Sequence, residues 1–204
     1  MKSWTEKEAR QFLAGTKGDR LGFAWALLLT RGLRRGELCG LRWADVDLDG
    51  GVLVVNRTRV VVDGKTIDSS PKTAAGRRPV PLDASLVGIL KSHKARQARE
   101  RLNAGEVYSD GGYLLANELG TAYHPDSVSQ WFDDAVKASG LPRIRLHDSR
   151  HTAASLMLAA GTPTKVVSDL LGHASPTITL AIYAHTLPGM AHEAGERLSG
   201  RLLG

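Results

Sequence analysis

Apolar residues recur along this chain at two different spacings, and the changes of spacing divide it. From the N-terminus the spacing is helical. Thr5-Glu6-Lys7-Glu8 has the form of a capping box, which starts a helix at about Thr5. Residues 21–29 are apolar nearly all round, the pattern of a buried helix. A turn follows, then a short helix over residues 35–41 and a loop rich in Asp and Gly. Gly32, Gly36 and Gly40 stand four apart between charged flanks, which predicts close helix packing or a tight turn.

The period then shortens. "GVLVVNRTRVVVDGKTI" is rich in β-branched residues, Asp63-Gly64 is a hairpin signal, and residues 77–82 ("RRPVPL") read as another short strand. Three adjacent short strands predict a small antiparallel sheet rather than βαβ units. The "SSPKTAAG" between them is a turn that carries Lys72. Helical spacing returns over residues 86–102, where the helix is strongly charged. Pro125, after His124, opens a helix whose Val128, Trp131, Phe132 and Val136 share one face, and Gly140 ends it. A helix over residues 149–160 stops at Gly161. Pro163 opens the next, with Val166, Val167, Leu170 and Leu171 turned inward and Gly172 closing it. "ASPTITLAIYAHT" fits helix and strand equally, and the tail "AHEAGERLSGRLL" is amphipathic, with Ala191, Ala194, Leu198 and Leu202 on one side. The fold class this predicts is mixed α/β, mainly α-helical with a small three-stranded antiparallel sheet.

Composition narrows the classes of function. With 204 residues, 42% hydrophobic and 24% charged, the chain has the make-up of an ordinary globular protein with one sizeable core. No apolar run approaches the roughly 18 residues of a membrane span, and "MKSWTEKEARQF" lacks the apolar stretch of a signal peptide. The single cysteine, Cys39, excludes an internal disulfide, fits a reducing cytoplasm and reads as a small buried hydrophobe. A net charge of +6 and a pI near 9.7 favour an anionic partner, most commonly nucleic acid. The basic residues gather beside turns and element ends: Arg31, Arg34 and Arg35; Arg57 and Arg59; Lys72, Arg77 and Arg78; Arg143, Arg145 and Arg150.

The densest chemistry lies in "LHDSRHT", residues 146–152. His147 and His151 have the four-residue spacing of helical zinc ligands, but Asp148 stands where zinc proteases carry Glu, Arg150 would set a positive charge beside the metal, and no cysteine offers a third ligand. Ser69-Ser70-Pro71-Lys72 matches the S-x-x-K of serine acylases formally, yet Pro71 disfavours the helix that pairing needs. "SLMLAAGTPTKVVSDLLGH" suits a helix-turn-helix and suits two core helices meeting at a turn equally well. The phosphate reading uses the most residues. Arginine presents a planar fork of donors matched to two phosphate oxygens, and Arg34, Lys72, His147, Arg150, His173 and Tyr183 form a spaced set of such groups.

"RGLRRGELCGLRW", "PKTAAGRRPVPL", "LHDSRHTAASLML" and "LLGHASPTITLAIYAH" closely resemble, in order and at suitable distances, the motif boxes of the tyrosine recombinase catalytic domain, the phage-integrase family. The resemblance runs from about Thr5 to His185. It implies a site-specific recombinase that cuts and rejoins DNA without metal, cofactor or ATP. Tyr183 would be the nucleophile, forming a 3′-phosphotyrosyl link. Arg34 and Arg150 would hold the non-bridging oxygens, Lys72 would protonate the leaving 5′-oxygen, His147 would assist proton transfer and His173 would hydrogen-bond the phosphate. Arg35, Arg57, Arg59, Arg77, Arg78 and Arg145 are the expected DNA contacts. The implied partners are double-stranded recombination sites and, once synapsed on DNA, three further copies in a tetramer; alone the chain would be a monomer, off the membrane and at the bacterial nucleoid. A DNA-binding remnant without catalysis and a type IB topoisomerase-like relaxing activity are the alternatives.

Residues 1–187 correspond to the family's catalytic domain and residues 188–204 to a tail that would dock on a neighbouring subunit or on its own domain. The N-terminal core-binding domain that usually precedes them is not in this sequence, as in a truncated form or a minimal member. Ser149 departs from the pattern, which usually has leucine there; a buried Ser149 needs a hydrogen-bond partner, and it could cap the helix or face the DNA.

Overall fold

The helical spacings produce α1 (Glu6–Gly15), α2 (Gly22–Arg31), α3 (Arg35–Gly40), α4 (Ala84–Ala104), α5 (Pro125–Ala138), α6 (Leu146–Ala159) and α7 (Thr164–Leu171) in the computed structural model, which describes residues 2–70, 76–173, 196 and 199–203. Lys72, Tyr183 and most of the tail lie outside the described residues, as does the stretch read equally as helix or strand. None of the described helices is long and apolar enough to cross a membrane.

Local signals account for most boundaries. Thr5 caps α1: its Oγ1 accepts from the Glu8 N–H at 3.3 Å, and the Glu8 carboxylate accepts from the Thr5 N–H at 2.7 Å. Pro125 stands at the first turn of α5, and Gly32 and Gly172 take the left-handed conformation that ends α2 and α7. Helix α2 is the centre of the core, with Phe23 through Leu29 all buried. Around it an aromatic cluster joins α1, α2 and α5: Phe12 and Phe132 lie 5.6 Å apart, Trp25 and Phe132 5.3 Å. Buried Leu86, Leu90, His93 and Gln97 form the inward stripe of the otherwise charged α4. The α6–α7 pair encloses a smaller cluster of Ala154, Leu158, Val167 and Leu171, so these are two packed helices meeting at Gly161.

The expected small three-stranded antiparallel sheet forms, but from other strands than the spacing suggested. Instead of one hairpin with a third strand beside it, two sheets form. β1 (Val46–Asp47), β2 (Val52–Val55) and β5 (Arg78–Pro81) make a three-stranded antiparallel sheet in the order β1-β2-β5, with Leu53 opposite Val80 and Val55 opposite Arg78. β3 (Thr58–Val62) and β4 (Lys65–Ser69) form a separate ribbon closed by Asp63 and Gly64, both at positive φ as a two-residue hairpin turn requires. The chain leaves the first sheet at Asn56-Arg57 because β3 packs on α3 instead. Gly36 and Gly40 make that approach feasible. A Cβ on Gly36 would stand 3.2 Å from the Arg59 carbonyl, and one on Gly40 3.1 Å from the Arg59 nitrogen. The four-residue glycine spacing is thus close packing of a helix on a strand.

Three smaller expectations are corrected. Trp131 is 36% exposed, edge-on to Tyr123 at 4.7 Å, because the inward stripe of α5 is Val128, Phe132 and Val136 and leaves Trp131 at its margin. Val166 is 45% exposed, since only Val167 and Leu171 of α7 reach the small core. Helix α6 begins three residues before Ser149, at Leu146, because Asp148 accepts from the Arg145 backbone N–H at 3.0 Å and closes a cap there.

Candidate active site

The ends of four helices meet at one place. Gly32, at a φ of +61°, stops α2 and turns the chain into Arg34, the residue that precedes α3. The first turns of α6 carry His147 and Arg150. Helix α7 stops at Gly172, and His173 follows. In the last turn of a helix the carbonyls lack intrahelical donors and carry the negative end of the dipole. Here the backbone N–H groups of His173 and Gly172 take the Ser168 and Asp169 carbonyls. The next three carbonyls each receive a different arginine: Leu170 accepts from Arg78 Nε at 2.7 Å, Leu171 from Arg150 Nη2 at 2.6 Å, and Gly172 from Arg34 Nη2 at 3.1 Å. Arg150 also donates through Nη1 to the Gly32 carbonyl at 2.7 Å, which ties the end of α2 to the end of α7.

One carboxylate completes the frame. Glu37 is 1% exposed; its Oε1 accepts from Arg34 Nη1 at 2.8 Å and Arg78 Nη1 at 2.9 Å, and its Oε2 from the Arg34 N–H at 2.8 Å and Arg78 Nη2 at 3.0 Å. Burial pushes its pKa up, but the hydrogen bonds and charges of Arg78 and Arg34 outweigh burial and hold it below the usual carboxylate range. Among the described residues the Glu37 carboxylate thus pairs with both Arg34 and Arg78, and Arg150 stands with them at the end of α7.

The imidazoles beside it are neutral at physiological pH. Burial, then the charges of Arg150, Arg34 and Arg78, push His173 down to about 4. His147 is lowered in the same way, by burial and then by Arg150, against an opposing pull from Asp148. Its ring meets that of His151 edge-on at 5.3 Å. A neutral imidazole can both donate and accept a proton, so the site combines fixed cations with groups able to relay protons.

Ser149 neither caps the helix start nor faces outward. It is fully buried, and its Oγ donates to the Leu146 carbonyl at 2.6 Å. Asp148 braces the same turn: its Oδ2 accepts from Arg145 Nε at 3.0 Å and its Oδ1 from Arg145 Nη2 at 3.1 Å. Among the described residues no three His, Cys, Asp or Glu side chains gather as a metal site would require. Cys39 is 1% exposed, and burial pushes its thiol up to about 12.

The six arginines expected to contact DNA separate by environment. Arg77 and Arg145 are exposed, Arg77 donating through Nε to Asn56 Oδ1 at 2.9 Å. Arg35 and Arg57 are part-exposed, Arg35 paired with Asp126 at 2.7 Å and Arg57 standing 3.6 Å from Asp45. Arg59 turns inward to Asp68 at 2.7 Å, over the ring of Tyr113, where Arg42 also joins. Arg78 is the correction: it is 6% exposed and committed to Glu37 and Leu170, so it cannot reach a surface ligand. Sequence reasoning missed Glu37, although "RRGE" holds a carboxylate three residues after Arg34, the spacing of a capping box. The three carbonyls of α7 have no sequence signal at all, since every residue has one. The Asp68–Tyr113–Arg42–Arg59 cluster was missed for a similar reason, its members being scattered along the chain.

The profile of the phage integrase family matches residues 2–189. Over 98% of its length the chain is 35% identical to a tyrosine recombinase XerC-like protein of Caldanaerobacter subterraneus subsp. tengcongensis, 54% of which it covers. It is 28% identical over 99% of its length to the ICEBs1 integrase of Bacillus subtilis, 55% of which is covered. The chain thus spans about half the length of these relatives. Among solved structures, the Tn1549 transposon integrase in complex with transposon right end DNA superposes with a TM-score of 0.79 at 26% identity, over 97% of this chain and 66% of that one. The XerA recombinase has the same fold, with a TM-score of 0.74 at 24% identity over 97% and 65% of the two chains. By the match along its sequence and by the arrangement of its helices around the arginine cluster, this chain belongs to the phage integrase family.

Proposed function

We propose that residues 1–187 are the catalytic domain of a site-specific DNA recombinase, and that the site cuts and rejoins one DNA strand at a time through a phosphotyrosyl intermediate. The observation that carries this reading is the convergence of Arg34 and Arg150 on the last turn of α7, beside neutral His147 and His173. A phosphodiester repels nucleophiles, and its pentacoordinate transition state gathers negative charge on the non-bridging oxygens. Two guanidiniums fixed in advance by backbone carbonyls meet that charge without reorganising as it develops. In this reaction the bond from the Tyr183 oxygen to phosphorus forms and the bond from phosphorus to the 5′-oxygen breaks. His147 takes the phenolic proton, and Lys72 gives one to the 5′-oxygen. Tyrosine has a pKa of about 10, so only about 0.1% is ionised at neutral pH and the base is needed. The phosphotyrosyl ester keeps the energy of the broken bond, so rejoining draws on no ATP.

Double-stranded recombination sites are the substrate, with Arg35, Arg57, Arg77 and Arg145 as backbone contacts. Assembly on DNA as a tetramer, residence at the bacterial nucleoid and a docking role for residues 188–204 belong to the same reading. The names of the similar proteins, a tyrosine recombinase XerC-like protein, the ICEBs1 integrase and a transposon integrase in complex with DNA, support it. The test is a nicked duplex that loses its 5′-hydroxyl fragment after cleavage and traps the adduct. Wild-type protein should form a protein–DNA adduct stable to denaturing gel electrophoresis. Tyr183→Phe should form none while still shifting the DNA in a native gel. An adduct with Tyr183→Phe would refute the nucleophile.

A further inference from the structure

We propose that Arg78, from which the sequence suggested a DNA contact, is instead a positioning residue for this reaction, acting through Arg34 and the turn that carries His173. The inference rests on the recombinase reading above. Arg78 leaves β5 and joins two elements that the chain keeps far apart. Toward α3 its two terminal nitrogens meet both oxygens of Glu37, at 2.9 and 3.0 Å. Toward α7 its Nε meets the Leu170 carbonyl at 2.7 Å, and Nη1 also donates to the Gly76 carbonyl at 3.2 Å. Among the described residues every hydrogen bond of Arg78 is therefore internal, and at 6% exposure the side chain is buried away from a surface ligand.

Its bonds coincide with those that aim the grip. Glu37 Oε1, held from one side by Arg78, holds Arg34 Nη1 from the other. Leu170, fixed by Arg78, is followed directly by the two carbonyls that take Arg150 and Arg34, and then by His173. A shift of the Arg78 fork moves the carboxylate behind Arg34 and the end of α7 together. Lysine cannot replace it. One ammonium on a flexible stem cannot span both Glu37 oxygens and also reach Leu170, whereas the planar guanidinium presents all three nitrogens in fixed relation.

A buried ion pair can also serve stability alone, so the experiment must separate the two roles. Arg78→Lys and wild-type protein are compared in single-turnover cleavage of two duplexes. One has an ordinary scissile phosphodiester; the other has a methylphosphonate there, a methyl group replacing one non-bridging oxygen and removing the charge. Thermal melting and gel shift report folding and DNA binding. A displacement of about 1 Å in a positioned group is worth up to about 10²-fold, so cleavage of the ordinary duplex should fall by roughly tenfold or more. On the methylphosphonate the deficit should shrink to within about threefold, because less charge develops for the arginine grip to meet. An equal deficit on both duplexes overturns the proposal, as does undiminished cleavage of the ordinary one. Should Arg78→Lys not fold, the paired Glu37→Gln/Arg78→Gln variant, which leaves no buried charge unpaired, carries the same comparison with the same expected outcome. Failure of the wild type to cleave either duplex would be seen without any variant; it would remove the recombinase reading and this inference with it.

Discussion

Replacing Glu37 by alanine should be among the most damaging single changes in this chain, and the structure indicates how damaging. The carboxylate is 1% exposed and is the counter-charge of Arg78, itself 6% exposed. Arg34, with a side chain 41% exposed, can turn to water when Glu37 is removed; Arg78 cannot. Breaking a buried pair from one side costs about 3–5 kcal/mol, because an uncompensated charge stays inside. For a domain of this size each kcal/mol lowers the melting temperature by about 2–4 °C, so the expected drop is about 6 to 20 °C. The loss should also depend on pH. The folded pKa of Glu37 lies below its ordinary 4.5, burial opposing the shift and Arg78 and Arg34 driving it. A depressed carboxylate contributes stability that is fully present above the unfolded value and is lost as pH falls through the folded one. Urea unfolding followed by circular dichroism, from pH 7 down into the acid range, measures both effects. The difference between wild type and Glu37→Ala should be constant above about pH 5.5 and narrow below the unfolded value, with the urea slope unchanged at neutral pH. A loss under about 1 kcal/mol at pH 7 would falsify the buried-charge argument, since one ordinary hydrogen bond contributes that much. A difference that persists unchanged into acid would assign the loss to packing.

Gly32→Ala should cost about 1–3 kcal/mol from the left-handed backbone alone, and more because its Cβ would stand 2.4 Å from Leu171 Cδ2; melting temperature checks it, and cleavage should slow too, since the Gly32 carbonyl holds Arg150. For pH dependence, His173 at about 4 should stay neutral from pH 8 to pH 5. The cleavage rate should show no inflection from it in that interval, and an inflection near 6.5 that disappears in His173→Asn would contradict its burial beside Arg150, Arg34 and Arg78.

Much of the fold was legible because short-range rules act on neighbours in sequence. The cap at Thr5, the uniformly apolar α2, the proline that opens α5 and the Asp63-Gly64 hairpin depend on contacts within a few residues, and each formed as read. Where the reading failed, the deciding contact was remote. Trp131 and Val166 stand at the margins of apolar stripes, and only the partner surface determines how wide a stripe is covered. The two-sheet arrangement depends on β3 finding α3, which brings the backbone of residues 57–59 onto Gly36 and Gly40. Arg78 was misread although a local signal existed: in "RRPVPL" it alternates in phase with Val80 and Leu82, both buried, so it shares their inward face. The charge of arginine overrode that signal, because an unpaired buried guanidinium is costly and the sequence shows no partner beside it.

The sequence by itself therefore determined which elements form and which ionisable groups are available to grip a phosphate, since propensity, capping and residue chemistry are local properties. Only the tertiary structure decided which arginine supports and which is presented. That choice depends on where each guanidinium finds acceptors. Arg78 finds Glu37 across 41 residues of chain, Arg150 finds Gly32 across 118, and Arg34 finds Gly172 across 138. A charge stays inside a protein only when folding brings it a partner, and no local pattern records a partner so far along the chain.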